Sequence, residues 1–597
     1  MAKWMVAAKK ADFDKIAKKY HITPVLARIM RNRDVTGDEE IQKFLHGDLE
    51  DLHDPFLMKD MEKAAEIIMV KIKEGKTIRI IGDYDVDGIC SSYILFTGLK
   101  ELGGRADIVI PHRMKDGYGL NDHLIEEADR DGIDTILTCD NGIAAAPQIG
   151  LAKEKGMTVI VTDHHEVPFE DGESGRNYLL PEGDAVVDPK QPDCEYPFKQ
   201  ICGGVVAFKL IQILFFLFDM PRKDRYRWQQ LLDELLVFAA LATVCDVMEL
   251  RDENRIIVKK GLELMSQTAN LGLKALLMVN GIEGKTLSPY HAGFIIGPCL
   301  NATGRLDTAL RALELFRAQE WKEAVTIAED LKQLNDNRKQ MTEEGVKEAI
   351  RQVEEADYSK DRVLIVYLPE CHESLAGIIA GRIKEKYGKP AFVLTKAEDG
   401  IKGSGRSIEA YNMYEEMTAV KELFIRYGGH KMAAGLSLPD EKSVEQFRKR
   451  LNENCRLTKE DFEEVVHIDV PMPLVYADRN FIKELSLLEP FGTGNPKPLF
   501  ARKGISLLSG RKIGRNQNVG KYTIADEEGR QYEMIFFGDL EQFDLFLREK
   551  FGARLAEGVY AGRLAVGEIV ISIAYYPDIN NYAGRESIQI VMQHYTC

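Results

Sequence analysis

Between Thr77 and Asp188 the sequence sets out five short β-branched or aliphatic runs, "TIRII", "ADIVI", "DTILT", "TVIVT" and "AVV", most of them separated by stretches with helical patterning. A strand that is apolar on both faces must be covered on both. Alternation of such strands with helices therefore predicts a parallel sheet between helix layers. The right-handed βαβ crossover then brings the loops that follow the strands to one edge, where ligands collect in open α/β folds.

What stands at that edge is acid. Asp83, Asp85 and Asp87 follow the first run in "GDYDVDG", Asp140 follows another in "TCDNGI", Asp163 precedes His164 and His165 in "VTDHHEVP", and Asp188 opens "VVDPKQPD". One aspartate after a strand is ordinarily a turn former or helix cap. Several converging carboxylates repel one another and resist ionisation unless cations neutralise them. Oxygen ligands with an imidazole suit Mn²⁺ or Mg²⁺, and the lack of cysteine ligands argues against structural zinc. Asp246 lies in the apolar, helix-like "LLVFAALATVCDVMEL", where a buried carboxylate needs a partner that a metal could supply.

In order and spacing, "GDYDVDG", "TCDNGI", "VTDHH" and "LATVCDVMEL" resemble the four motifs of the DHH phosphoesterase superfamily. The resemblance implies a pair of divalent metal ions, Mn²⁺ or Mg²⁺. Asp140 would bridge them, Asp87, His164 and Asp246 would complete one site, and Asp85 with Asp83 would hold the other. His165 would stand beside the scissile phosphate, either bonding a nonbridging oxygen or orienting its neighbour, with the first reading favoured. Two ions about 3.5–4 Å apart suit phosphodiester cleavage, because they acidify the attacking water and neutralise the leaving oxygen.

Further motifs resemble the RecJ family of single-stranded-DNA-specific exonucleases within that superfamily. They are "PHRMKDGYGLN", "CGGVVAFKL" and "IGPCLNATGRLDTA", which places Asn301 and Arg305 four apart behind a Gly-Pro turn. The resemblance makes Arg113, Asn301 and Arg305 substrate contacts, with Arg305 also counted in the catalytic set beside His165 and Asp140. An arginine's planar fork can grip a phosphate at two points.

A long charged, periodic stretch beyond Leu306 predicts one or two extended helices joining two lobes. After it, "RVLIVYL" and "CHESLAGIIAGRIKEKYGKPAFVLT" predict a second βαβ-like unit. Its glycine-rich "IKGSGRSI" and "YGGHKMAAG" resemble the DHH-associated domain, with Gly403, Ser404, Arg406, Gly428, Gly429 and His430 expected in loops and His372, Arg406 and His430 as nucleic-acid contacts. The family pattern often has an aromatic before the histidine, where this chain has Cys371. The last 130 or so residues alternate short strands with Gly/Asn turns, as a small Greek-key barrel would; "EPFGTGNPKPLF" resembles the segment that precedes an OB-fold in the RecJ family. Arg511, Lys512, Arg515 and Lys521 are expected to contact the nucleic-acid backbone. Tyr522, Phe536 and Phe537 fit stacking platforms and barrel core equally well.

The expected architecture is α/β: an N-terminal helical region (1–60), a parallel-sheet DHH catalytic domain (61–310), a connecting long helix (311–357), a second α/β DHH-associated domain (358–458) and an all-β OB-fold (459–597). In the N-terminal region Thr36 is expected to cap the helix in "TGDEEIQKFL". A formal net charge of −16 argues mildly against a nucleic-acid partner, but Arg502 to Lys521 holds six Lys/Arg and no acid, and Met1 to Asp34 holds nine against three acids. The nine scattered cysteines without CxxC spacing fit reduced thiols in a cytoplasmic protein. No charged-then-apolar leader opens the chain, and the longest apolar run, "LIQILFFLF", is too short to span a bilayer.

The activity implied is 5′→3′ hydrolysis of single-stranded DNA to 5′-mononucleotides, in DNA repair and recombination, by a monomer with a helicase and a single-strand-binding protein as candidate partners. Two rivals are a small-substrate DHH phosphoesterase acting on oligoribonucleotides or cyclic dinucleotides, and a catalytically silent single-stranded-DNA-binding scaffold. The basic span near the C-terminus speaks against the first, and the complete acid set against the second.

Overall fold

The computed structural model describes residues 2–112, 119–172, 175–218, 225–356, 358–397, 400–514, 516–582 and 585–597. Two compact units emerge, one of residues 48–462 and one that joins residues 1–47 to 463–597.

The larger unit opens with the anticipated sheet. Five parallel strands lie in the order Arg105–Val109, Thr77–Ile81, Thr135–Thr138, Thr158–Thr162, Ala185–Val187. Helices Met61–Lys73, Val86–Glu101 and Gly203–Leu217 bury one face, and Asp122–Arg130 and Ala146–Glu154 cover the other. Helix Arg225–Cys245 packs behind them and is, among the described residues, the one helix long and apolar enough to cross a bilayer; its stretch from Leu235 to Ala242 is wholly buried in this core. That amends the expectation based on Leu210–Phe218, since burial inside a protein selects the same composition as burial in lipid.

A π-helical turn, Ala292–Ile296, runs directly into helix Gly297–Leu306. The Gly-Pro pair expected to form a turn is therefore inside continuous helix. Within a continuous helix Pro298 has no N–H for the carbonyl one turn back, and the wider π-helical turn just before it gives the ring room.

Helix Trp321–Glu355 is 35 residues long, about 50 Å at the α-helical rise. Ala324, Ile327, Ala328 and Leu331 at its start belong to the first lobe's core, while Ala349 and Val353 near its end belong to the second lobe's. That lobe carries a mixed sheet in the order Arg426–Gly429, Ala433–Leu438, Gly400–Arg406, Ala391–Ala397, Leu364–Tyr367. Gly403, Ser404, Arg406, Gly428 and Gly429 thus lie in strands and not in loops. The interstrand ladder fixes them more firmly than loops would.

In the smaller unit, strands Phe500–Ile513, Val519–Ala525, Gln531–Phe536, Arg585–Thr596 and Val570–Tyr582 pair in that order, and the last closes on the first. Five strands make a closed OB-like barrel. Leu26, Ile29, Met30, Ile41, Phe44 and Leu45 from the N-terminal helices share its core. The start of the chain is not wholly helical: Lys3–Val6 forms a strand parallel to Val465–Ile468, a pairing across the whole sequence that no local pattern announces. Thr36 likewise is not the cap expected. Gly37 holds the N-cap position of helix Asp38–His46, and Glu40 accepts from the N–H groups of Thr36 (2.9 Å) and Gly37 (3.2 Å).

Candidate metal centre

The edge at the carboxyl ends of the first sheet gathers the acids. Asp85 caps helix Val86–Glu101, accepting from the N–H groups of Asp87 (3.0 Å) and Gly88 (3.1 Å). Asp87, the second residue of that helix, is buried, and its two oxygens accept from the N–H groups of Gly203 and Gly204 at 2.7 Å each. These donors open helix Gly203–Leu217, whose N-terminal partial charge favours an anion. A Cβ at Gly203 would come within 2.8 Å of Asp140 Cβ, and one at Gly204 within 2.6 Å of Ala242 Cβ. The lack of a side chain at both glycines is what lets the backbone come this close to Asp87 and Asp140.

Asp140 has a left-handed backbone, φ 60°, which aspartate tolerates better than most residues. Its Oδ1 lies 3.0 Å from His164 Nε2. The same imidazole nitrogen stands 3.4 Å from Asp87 and 3.7 Å from Asp246, the residue that follows helix Arg225–Cys245. Among the described residues, three groups have ligand atoms within 4.8 Å of one another: Asp83, Asp85 and Asp140; Asp87, His164 and Asp246; and Asp140, Asp163, His164 and His165. Asp140 and His164 are each shared by two of them.

Among the described residues, positive charge falls short of what these acids would need to ionise together. Burial, with the charge of Asp85, pushes the Asp83 carboxyl up to about 8, and burial with the charges of Asp87 and Asp85 carries Asp246 to about 8. Burial, then Asp87, Asp85 and Asp83, raises Asp140 well above the carboxylate range. One oxygen of Asp83 and Nδ1 of His164 are buried without a hydrogen-bond partner. A divalent cation would answer both the repulsion and the unsatisfied oxygen, so the donor set fits hard metal ions.

Asp163 does different work. Its Oδ2 accepts from the Ile143 N–H (2.9 Å), and its Oδ1 from the His164 N–H (2.7 Å) and His165 Nδ1 (2.7 Å). Burial works against its ionisation, but the hydrogen bond and charge of His165 outweigh that and hold it below the usual range. Burial also pulls the His165 pKa down, yet the hydrogen bond and charge of Asp163 lift it to about 9. Sequence reasoning placed Asp163 at the edge without giving it this task; a carboxylate two residues before a histidine was the available signal.

Arg305 enters a cleft between the two lobes of this unit, lined by Tyr84, Ser374, Lys402, Ser404, Arg406 and Arg426, among others. Arg305 donates to the Ser374 carbonyl (2.7 Å), and Arg406 to the Gly405 carbonyl (2.8 Å) and Ser404 hydroxyl (3.2 Å). Lys402, Ser404 and Arg406 alternate along strand Gly400–Arg406 and so share one face. That period singles out Lys402, which the sequence reading omitted. Asn301 and His430 are not among the lining residues. His372 faces a separate groove with Met341, Glu344 and Cys371, and its Nδ1 lies 2.7 Å from the Ser374 hydroxyl. Arg113 and Arg515 lie outside the described residues.

On the barrel, Arg511 and Lys521 line one depression with Tyr522 and Tyr532. Lys521 pairs with Glu533 (2.7 Å), Lys512 with Asp544 (2.9 Å) and Arg502 with Glu527 (3.0 Å). Tyr522 and Phe536 are buried core, while Phe537 is exposed.

Comparison with known proteins agrees with this geometry. Residues 77–243 match the DHH family, N-terminal domain, residues 360–457 the DHHA1 domain, and residues 468–594 the RecJ OB domain. Over 592 residues the chain is 35% identical to the single-stranded-DNA-specific exonuclease RecJ of Bacillus subtilis, covering 98% of this chain and 70% of that one. The chain belongs to the RecJ family. The RecJ of Escherichia coli is 32% identical over 610 residues, 99% of each chain. The crystal structure of RecJ from Thermus thermophilus in complex with Mn²⁺ superposes with a TM-score of 0.79 at 26% identity, covering 100% of this chain and 79% of that one. A second crystal structure, of exonuclease RecJ bound to manganese, gives 0.58 at 30% identity over 68% and 97%.

Proposed function

We propose that this chain is a metal-dependent exonuclease that hydrolyses single-stranded DNA from the 5′ end and releases 5′-mononucleotides. The observation that carries the reading is the convergence of Asp83, Asp85 and Asp140 with Asp87, His164 and Asp246 at one sheet edge, in a chain whose full-length relatives are RecJ exonucleases.

Asp87, His164 and Asp246 would hold one divalent ion and Asp83 with Asp85 the other, Asp140 being shared. When bound, the pair supplies charge neutralisation at the scissile phosphate and acidifies the attacking water. The chain's own residues do the rest. The hydrogen bond to Asp163 fixes His165 Nδ1 as a donor, and the charge of Asp163 favours the imidazolium, which carries a proton on Nε2 as well. That proton would bond a nonbridging phosphate oxygen. Arg305 and Arg406, with Lys402, supply cationic donors in the cleft between the lobes and would seat substrate phosphates; Arg113, Asn301, His372 and His430 would make contacts outside that cleft. Arg511, Lys512, Arg515 and Lys521 would guide the strand along the barrel. A monomeric cytoplasmic enzyme working beside a helicase and a single-strand-binding protein completes the proposal.

The test offers the purified protein Mn²⁺ with labelled single-stranded DNA, duplex DNA, RNA and pyrophosphate in parallel. Hydrolysis of single-stranded DNA well above the others is expected. Preference for pyrophosphate or very short oligoribonucleotides would favour a small-substrate phosphoesterase instead.

A further inference from the structure

On the turn that packs against the residues just before Asp246 lies an aromatic pair that the chemistry above does not use. Tyr290 and Phe294 stack with ring centroids 5.4 Å apart and planes only 19° from parallel, and both are outside the core, 61% and 69% exposed. Two large aromatic rings left this bare forgo the burial that ordinarily retains such residues.

Their placement ties them to the site. Phe294 belongs to the π-helical turn Ala292–Ile296, and irregularities of this kind recur at functional sites. The turn packs against the residues just before Asp246: Cys245 Sγ donates to the Ala292 carbonyl at 3.7 Å, and a Cβ on Gly293 would touch Val244 Cγ1 at 3.4 Å. Val247, next to Asp246, is 67% exposed and holds φ 58°, a costly conformation for a β-branched residue. In the other direction the turn continues into helix Gly297–Leu306. Asn301 and Arg305, four residues apart, share one side of that helix, and Phe294 stands in the π-helical turn three residues before its start, so the three mark a helical path. That path leads from solvent to the cleft where Arg305 meets Ser374. Cys299, Leu300, Ala302 and Thr303, on the other side, are buried.

We infer that Tyr290 and Phe294 form a nucleobase-stacking platform, on which unpaired bases of a DNA strand rest as its backbone runs along helix Gly297–Leu306 toward the metal centre. The inference rests on the nuclease reading and adds a subsite to it. Every base has a π face, so such a platform is indifferent to sequence. It is not indifferent to pairing, because a base in a duplex is stacked on its neighbours and has no face to give. Selection for single strands would then arise partly here, before the phosphate reaches the acids.

The experiment uses the full chain and a labelled oligothymidylate, with binding followed by fluorescence anisotropy in EDTA and hydrolysis in Mn²⁺. The double variant Tyr290→Ala/Phe294→Ala should weaken binding about tenfold or more, given what stacking on one aromatic contributes per base. Phe294→Trp should retain binding, and Phe216→Ala, which removes a ring 75% exposed on a different helix, should leave it unchanged. Single abasic sites are then scanned along the strand. In the wild type one or two positions should prove sensitive, and in the double variant those same positions should lose their sensitivity. Binding by the double variant within about twofold of wild type, or an unaltered abasic profile, overturns the platform. So does a variant that binds DNA normally but sediments differently, since the rings would then serve a protein contact. A wild-type protein inert toward single-stranded DNA in Mn²⁺ would sink the nuclease reading, while the binding scan in EDTA would still decide the platform.

Discussion

The acidic edge of the first sheet and the basic strands of the barrel both concentrate like charge, but they treat it in opposite ways. On the barrel, Lys512, Lys521 and Arg502 each meet an acid of the same domain, in pairs of 2.9, 2.7 and 3.0 Å. At the sheet edge Asp83, Asp87 and Asp140 are buried together, and the nearest imidazole, His164, has its own pKa lowered by burial. A half-exposed charge with a partner is at rest in water, whereas buried carboxylates without cations are held in a state they would leave if they could. Density of charge in the sequence is thus a weaker sign of a ligand than charge the fold leaves uncompensated.

Asp140 is where this contrast is easiest to break, because two of the three ligand groups share it. Asp140→Ala should reduce hydrolysis of single-stranded DNA in Mn²⁺ by about a thousandfold or more. DNA affinity in EDTA should stay close to wild type, since less negative charge faces the phosphates. Turnover within tenfold of wild type would mean that the carboxylate is not shared by the ions.

Metal removal gives the next largest effect, visible as stability against pH. Asp83 and Asp246 carry folded-state pKa values of about 8 against an unfolded value near 3.8. Between those limits the folded chain binds protons that the unfolded chain has lost, so stability falls as pH rises. His165, raised to about 9 from 6.5, acts in the same direction: its contribution is full below the unfolded value and is lost as pH passes the folded one. Apoprotein Tm should therefore drop, by roughly 5–10 °C, between pH 5 and pH 8.5. Saturating Mn²⁺ takes the protons' place and should flatten or reverse the slope. A metal-free Tm that rises with pH over this range would show the carboxylates to be ionised and compensated by the protein.

Much of the edge was legible because its information is local. A run such as "TIRII" that ends in glycine and aspartate declares both a strand and the loop that will face the ligand, and Gly203–Gly204 at a helix start declares a close approach. The barrel's compensation was not legible. Asp544 lies 32 residues from Lys512, and Glu527 lies 25 from Arg502, so only the closed fold brings them together. For the same reason the span from Arg502 to Lys521, free of acid in sequence, is not free of acid in space. The strand Lys3–Val6, paired with Val465–Ile468, is the extreme case. It also means that cutting the chain near Glu460 would strip the N-terminal helices of their core, so the barrel has to be tested by point changes.

Asp544 offers the most delicate of these. Its carboxylate holds Lys512 at 2.9 Å and accepts from the Tyr560 hydroxyl at 2.5 Å. Asp544→Asn removes the negative charge at nearly constant shape; its one carbonyl oxygen can accept from Lys512 or from Tyr560, whereas the carboxylate offers each its own oxygen. If the barrel's cations guide a DNA backbone, this variant should bind single-stranded DNA about twofold to fivefold more tightly at low salt. The slope of log affinity against log salt should steepen by less than one unit, as befits at most one further phosphate contact. Lys512→Ala should move both quantities the other way. If neither variant changes affinity or slope, this corner of the barrel is an ordinary solvated surface, its ion pair is worth the little that exposed pairs usually are, and guidance of the strand falls to the cleft in the larger unit.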